Sequence, residues 1–188
     1  MHERPKSKFS TDYYLYKGLE GIAPKICWVH PNTITLLGAL LIIPIIFNIL
    51  YDKSTIVLIL LLITRYILDC LDGTLARKCN TGSKIGAYLD LGFDYLFFVA
   101  IYTTLTFKII RDKLLAKYIL QNPFKIIIII IALCLFIVYN YYFITEIIDL
   151  SSKEKMKINK WNQLIQDNEF ILFLVVGLLI KYLTKKSF

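Results

Sequence analysis

Residues 124–144 read FKIIIIIIALCLFIVYNYYFI, and few folds can accommodate such a segment. A helix needs about 20 apolar residues to cross roughly 30 Å of hydrocarbon. Four other runs approach that length, at 33–51, 55–75, 83–107 and 170–183. Hydrophobic residues make up 57% of the chain, where about 45–50% is usual for a soluble domain. The excess sits in these runs. The sequence therefore predicts an all-α, polytopic membrane helical bundle: one domain over 1–188 with five clear spans. The polar segment 145–169 makes a sixth crossing only if protein shields it.

Ahead of the first span, DYYLYKGLEGIAPKICWVHPN combines aromatics, lysines and a short apolar face. It predicts an interfacial amphipathic helix within 8–31, ended at the His30-Pro31 boundary. Its tyrosines and Trp28 suit the headgroup layer. The polar N-terminus lacks an apolar signal core and cleavage site, so insertion is expected to use the first span. Pro44 is expected to kink that span, which membrane helices tolerate.

The formal net charge is +8. In so apolar a chain, basic residues serve membrane lipids and topology, not nucleic acid. Each one near the surface is drawn to anionic lipid by about 1 kcal/mol. With the N-terminus and the 77–84 region in the cytosol, that side carries the larger share of Lys and Arg. The positive-inside rule favours this orientation. Cys27, Cys70, Cys79 and Cys134 are scattered, with no CxxC pair. They suggest neither a disulfide framework nor a zinc site.

One stretch breaks the hydrocarbon pattern: LDCLDGTLARKCNTGSKIGAYLDLGFDY, residues 68–95. Asp69 and Asp72 are three apart, and Asp90 and Asp94 are four apart. Each pair shares one helix face. The short polar link RKCNTGSK predicts an antiparallel hairpin that gathers all four near the membrane surface. Ordinary helix capping or pairing with loop lysines does not explain them. Asp90 and Asp94 run into an apolar helix with no basic residue between Lys84 and Lys108.

Clustered carboxylates must be protonated or neutralised by cations. Oxygen-only ligands favour Mg²⁺ or Mn²⁺, with Ca²⁺ also suited. Two divalent cations balance four carboxylates, and a two-metal site suits phosphoryl chemistry. The neighbours agree. Gly73 admits a close approach, Ala76 keeps the face small, and Arg77 can grip a phosphate bidentately. Gly86 lets its helix pack closely against a neighbour. Arg65, deep in the second span, is expected to pair with Asp69 or face the cavity.

The pattern Asp69-x2-Asp72-Gly73-x2-Ala76-Arg77-x8-Gly86-x3-Asp90-x3-Asp94 resembles the signature of the class I CDP-alcohol phosphatidyltransferase family at every fixed position. HPNTITLLG, at the head of the first span, is similar to that family's first helix. The resemblance covers roughly residues 8–110, with 33–110 as the catalytic spans and 111–188 as C-terminal spans. It implies a multi-pass integral membrane enzyme, usually of six spans, with its site facing the cytosol. A phosphoalcohol group would pass from a CDP-linked donor to an alcohol acceptor, releasing CMP. Asp69, Asp72, Asp90 and Asp94 would hold the metals, and Asp94 would also be the general base. Gly73, Ala76 and Arg77 would meet the donor's nucleotide and phosphates, and Asn32 and Thr35 would line its pocket. A homodimer is compatible with the resemblance.

Two branches compete. One uses CDP-diacylglycerol and a soluble alcohol, and the short chain resembles it. The other uses CDP-choline or CDP-ethanolamine with diacylglycerol, and LDCLDG and the HPNTITLLG region resemble that branch. Tyr95 stands where glycerophosphate-using members usually have Lys. A divalent-cation transporter or non-catalytic relative is the remaining alternative. A transporter would carry its acids at mid-membrane on broken helices, whereas here they adjoin a polar loop with glycines and an arginine suited to phosphate.

Overall fold

The structure, a computed structural model, describes residues 11–151 together with Val175, Gly177, Leu178, Tyr182 and Leu183. The described elements are all helical. They run α1 (Thr11–Ile22), a 3₁₀ turn (Ala23–Ile26), α2 (Pro31–Leu40), α3 (Ile42–Leu50), α4 (Thr55–Lys78), α5 (Lys84–Arg111), α6 (Lys113–Leu120) and α7 (Pro123–Ser151).

Three stretches are long and apolar enough to cross a membrane: Pro31–Leu50, Lys84–Arg111 and Pro123–Thr145. They correspond to the first, third and fourth expected spans. The second falls on α4, whose 24 residues include Arg65, Asp69 and Asp72. Those charges make α4 less apolar than its neighbours. The fifth expected span and the 145–169 question lie largely outside the described residues.

The first span is broken at Leu41, one turn before Pro44. Proline has no N–H to donate, and its ring crowds the carbonyl four residues back. The helix expected to run to the His30-Pro31 boundary ends earlier, at Ile22, with the 3₁₀ turn reaching Ile26. Pro31 opens α2, and the backbone N–H of Asn32 donates to His30 Nδ1 at 3.2 Å. Ser83 caps α5 by accepting from the N–H of Gly86 at 3.0 Å. α4 ends at Lys78, and two residues on Asn80 adopts φ 55°. Asparagine tolerates this left-handed conformation better than most residues.

α2 and α3 together pack against both α4 and α5, while close backbone approaches between α4 and α5 themselves are few. The expected hairpin is therefore a splayed one, backed by the first span. Gly38 faces Leu68 of α4 across this contact, where a Cβ would make an ordinary 3.8 Å contact with Leu68 Cβ. The core combines Ile45, Ile49, Leu58 and Leu62 with Phe97, Phe98 and Ile101 from α5. Tyr139 and Tyr142 bring α7 into it, and the Tyr139 ring stacks on Phe98 at 3.6 Å.

α1 lies against α4. It buries Leu19 and leaves Tyr14 exposed, and Trp28, beyond the 3₁₀ turn, is exposed as well. At the opposite end of the bundle, Lys125 donates to the carbonyls of Tyr182 and Leu183 at 3.3 and 3.1 Å. Gly177 abuts Leu62 so closely that a Cβ there would collide with Cδ1. These contacts seat the described C-terminal positions beside α4 and the start of α7.

One expectation is overturned outright. Cys27 and Cys79, 52 residues apart, form a disulfide. Spacing along the chain gave no sign of it, because the bond depends on where α1 docks. Cys70 and Cys134 take no part in it.

Candidate active site

The four aspartates converge on one small pocket between α4 and α5, floored by Thr35, Gly38 and Ala39 of α2. Asp69, Asp90 and Asp94 each offer an oxygen within 4.8 Å of the others. Hard cations bind oxygens at about 2.0–2.6 Å, so three donors at this spacing can reach one common ion. Oxygen-only donors also fit Mg²⁺, Mn²⁺ or Ca²⁺ in kind. The space among them is about 10 Å³, close to one water-sized sphere.

Asp72 lines the same pocket but is turned toward the first span. Its Oδ2 accepts a hydrogen bond from Thr35 Oγ1 at 2.6 Å. Both residues are buried. The hydroxyl thus fixes the rotamer of a carboxylate that hydrocarbon alone would leave poorly solvated.

Arg65 faces the cavity, as expected, but its ion-pair partner is not Asp69. Its Nη2 lies 2.6 Å from Asp94 Oδ1, across the gap between α4 and α5. The Arg65 guanidinium also stacks over the Phe97 ring at 4.2 Å. On one helix, an Arg placed four residues before an Asp has the less favourable orientation for pairing. The α5 carboxylate offers a better-aligned partner, with Asp69 and Tyr139 still in electrostatic reach.

The other expected residues surround the pocket instead of lining it. Gly73 sits against Arg77, where a Cβ would meet Nη1 at 3.4 Å. Arg77 points toward α1, its guanidinium 5.2 Å from the Tyr16 ring centre. Ala76 lies between them in sequence, half-buried on α4. Asn32 sits where α2 meets the start of α5, and a Cβ on Gly86 would come 3.0 Å from its Oδ1. Gly86 therefore permits the close packing expected of it. Sequence reasoning did not find Phe93, Gly38, Ala39 or Tyr139. The small pair Gly38-Ala39 in an otherwise bulky span was the one local signal.

The family model of the CDP-alcohol phosphatidyltransferases matches residues 28–184. The chain belongs to the CDP-alcohol phosphatidyltransferase family. Comparison with curated proteins and with solved structures gives no match. Family membership makes this chain a phospholipid-synthesising membrane transferase that uses divalent cations. It transfers a substituted phosphate group from a CDP-linked donor to an alcohol acceptor and releases CMP. The Asp69, Asp90 and Asp94 carboxylates supply oxygen donors of the kind such cations take.

Proposed function

We propose that this protein transfers a phosphatidyl group from CDP-diacylglycerol to a small alcohol at the Asp69–Asp72–Asp90–Asp94 pocket. The observation that carries the reading is the convergence of Asp69, Asp90 and Asp94 oxygens within 4.8 Å, in a chain of this family. We assign two divalent ions to the site, one held by that triad and a second involving Asp72. When bound, they polarise the donor's pyrophosphate and offset charge on the departing CMP.

The chain's own residues do the rest. Asp94 takes the proton of the acceptor hydroxyl as its oxygen bonds to phosphorus and the bond to CMP breaks. Arg65 holds the Asp94 carboxylate toward the cleft. Arg77 and Gly73, one turn apart, receive the donor's phosphates, and Asn32 and Thr35 line the approach from the first span. α4 is a further membrane span, and the site faces the cytosol.

The donor choice rests on the short chain. Tyr95 bears on the acceptor, because it stands where glycerophosphate-using members of the family usually have Lys. The Tyr95 hydroxyl lies 2.9 Å from Asn140 Oδ1, and its ring stacks on Phe143 at 4.0 Å. The residue after Asp94 is thus committed to α7, which suits an acceptor without a second phosphate.

The test is CMP release by the purified full-length protein with Mg²⁺ or Mn²⁺. CDP-diacylglycerol is offered with inositol, serine or glycerol 3-phosphate, and CDP-choline or CDP-ethanolamine with diacylglycerol. Release from CDP-diacylglycerol with inositol or serine supports the proposal. Release only with diacylglycerol as acceptor moves the protein to the other branch. No release from any pair by folded, metal-loaded protein overturns the assignment. Asp94→Asn should keep metal but lose turnover, while Asp72→Asn should weaken metal binding.

A further inference from the structure

The Cys27–Cys79 bond has no role in the chemistry above, yet it stands at the rim of the site. Cys79 directly follows α4, two residues beyond Arg77. Cys27 directly follows the 3₁₀ turn that extends α1. Cys27 is exposed and Cys79 half-buried, so a small thiol in solution can reach the bond.

Leu19 anchors α1 in the main core with Leu15 and Tyr16 packed beside it, whereas the polar ties between the interfacial segment and the end of α4 are modest. Lys78 and Glu20 approach to 3.8 Å with partly exposed side chains, and exposed pairs hold weakly. The Arg77 guanidinium lies 5.2 Å from the Tyr16 ring centre. Ala23 and Leu75 are buried in one small cluster with Ile34. The disulfide is the one covalent link among these contacts. Cytosolic thiols keep most cysteines reduced, so a bond on the proposed cytosolic face is open to attack there.

We propose that Cys27–Cys79 is a reversible thiol–disulfide exchange site. Its oxidised form clamps the end of α1 beside Arg77, and its reduced form lets that end loosen while Leu19 stays in the core. The partner is a small thiol of the glutathione class. Its thiolate attacks the exposed Cys27 sulfur, forming a mixed disulfide and expelling the Cys79 thiolate, which takes up a proton. A second small thiol then removes the first as a disulfide, leaving Cys27 as a thiol. Two electrons and two protons reach the protein, and two small thiols leave as one disulfide. The reverse exchange restores the clamp.

The test uses the full-length protein in detergent or nanodiscs. Alkylation after denaturation, read by mass, should label two cysteines in protein prepared without reductant and four after glutathione. Amide exchange across 13–26 should be about tenfold faster in the reduced protein, because a local unit has lost its tether. Cys27→Ser should show the faster exchange with or without glutathione. Four labelled cysteines without reductant, or exchange at 13–26 that ignores both glutathione and Cys27→Ser, overturns the proposal.

A further arm rests on the proposed function: reduction should raise the donor KM several-fold with little change in kcat. Exchange that follows the bond in protein releasing no CMP supports the clamp and counts against the transferase reading instead.

Discussion

Replacing Arg65 with Met tests the electrostatics of the site without touching a carboxylate. The Arg65 side chain is 4% exposed, stacks over Phe97 at 4.2 Å and binds Asp94 at 2.6 Å. Met keeps much of the apolar contact and removes the charge. Asp94, itself only 7% exposed, then faces Asp69 and Asp90 without its counter-ion. Removing one partner of a buried ion pair typically costs about 3–5 kcal/mol, because the other charge stays behind.

The cost should therefore be near that range in EDTA, measured from the unfolding midpoint of the full-length protein in detergent. Asp94→Asn together with Arg65→Met should cost less than the sum of the two singles, by about 1–3 kcal/mol. Mn²⁺ at about 100 times its Kd should return roughly 2.7 kcal/mol to the wild type. A cost under about 1 kcal/mol for Arg65→Met, or strict additivity in the cycle, would refute the idea that Arg65 offsets the carboxylate cluster.

Gly86→Ala would bring a Cβ to 3.0 Å from Asn32 Oδ1 and 3.2 Å from Ser83 Oγ. We expect a loss of about 1–3 kcal/mol from overpacking, read from the same midpoint, and unchanged stability would contradict the close helix approach. Thr35→Val removes the hydroxyl that donates to Asp72 at 2.6 Å. A charge-assisted bond of this kind is worth about 1.5–3 kcal/mol, so the midpoint should fall accordingly and Mn²⁺ affinity should change with it. Cys79→Ser opens a loop whose ends are 52 residues apart. Chain entropy sets its cost at about 4 kcal/mol, and calorimetry comparing oxidised wild type with the variant checks it.

What the sequence revealed and what it hid divide along a physical line. The helical spans of the described core were legible because hydrocarbon demands long apolar runs, and Pro44 marked its own break. The four aspartates were legible because i,i+3 and i,i+4 spacing in an apolar context has few innocent explanations. The hidden features depend on contacts distant in sequence. Nothing near Arg65 told that Asp94, 29 residues on, would take it in place of Asp69. Thr35 and Asp72 meet across 37 residues, and Cys27 and Cys79 across 52. Helix α6 also escaped notice, because lysines interrupt the apolar pattern of KLLAKYIL. The spacing of Arg77 suits a phosphate grip, but its stacking toward Tyr16 becomes visible only once α1 is docked.

Whether the acidic pocket gathers metal can be measured directly. Electron paramagnetic resonance during Mn²⁺ titration counts the ions held by the purified protein. The account predicts two Mn²⁺ per chain, displaced by Mg²⁺, with Asp69→Asn and Asp90→Asn each losing tight uptake. Wild-type protein that retains no more Mn²⁺ than the triple variant at Asp69, Asp90 and Asp94 would contradict it.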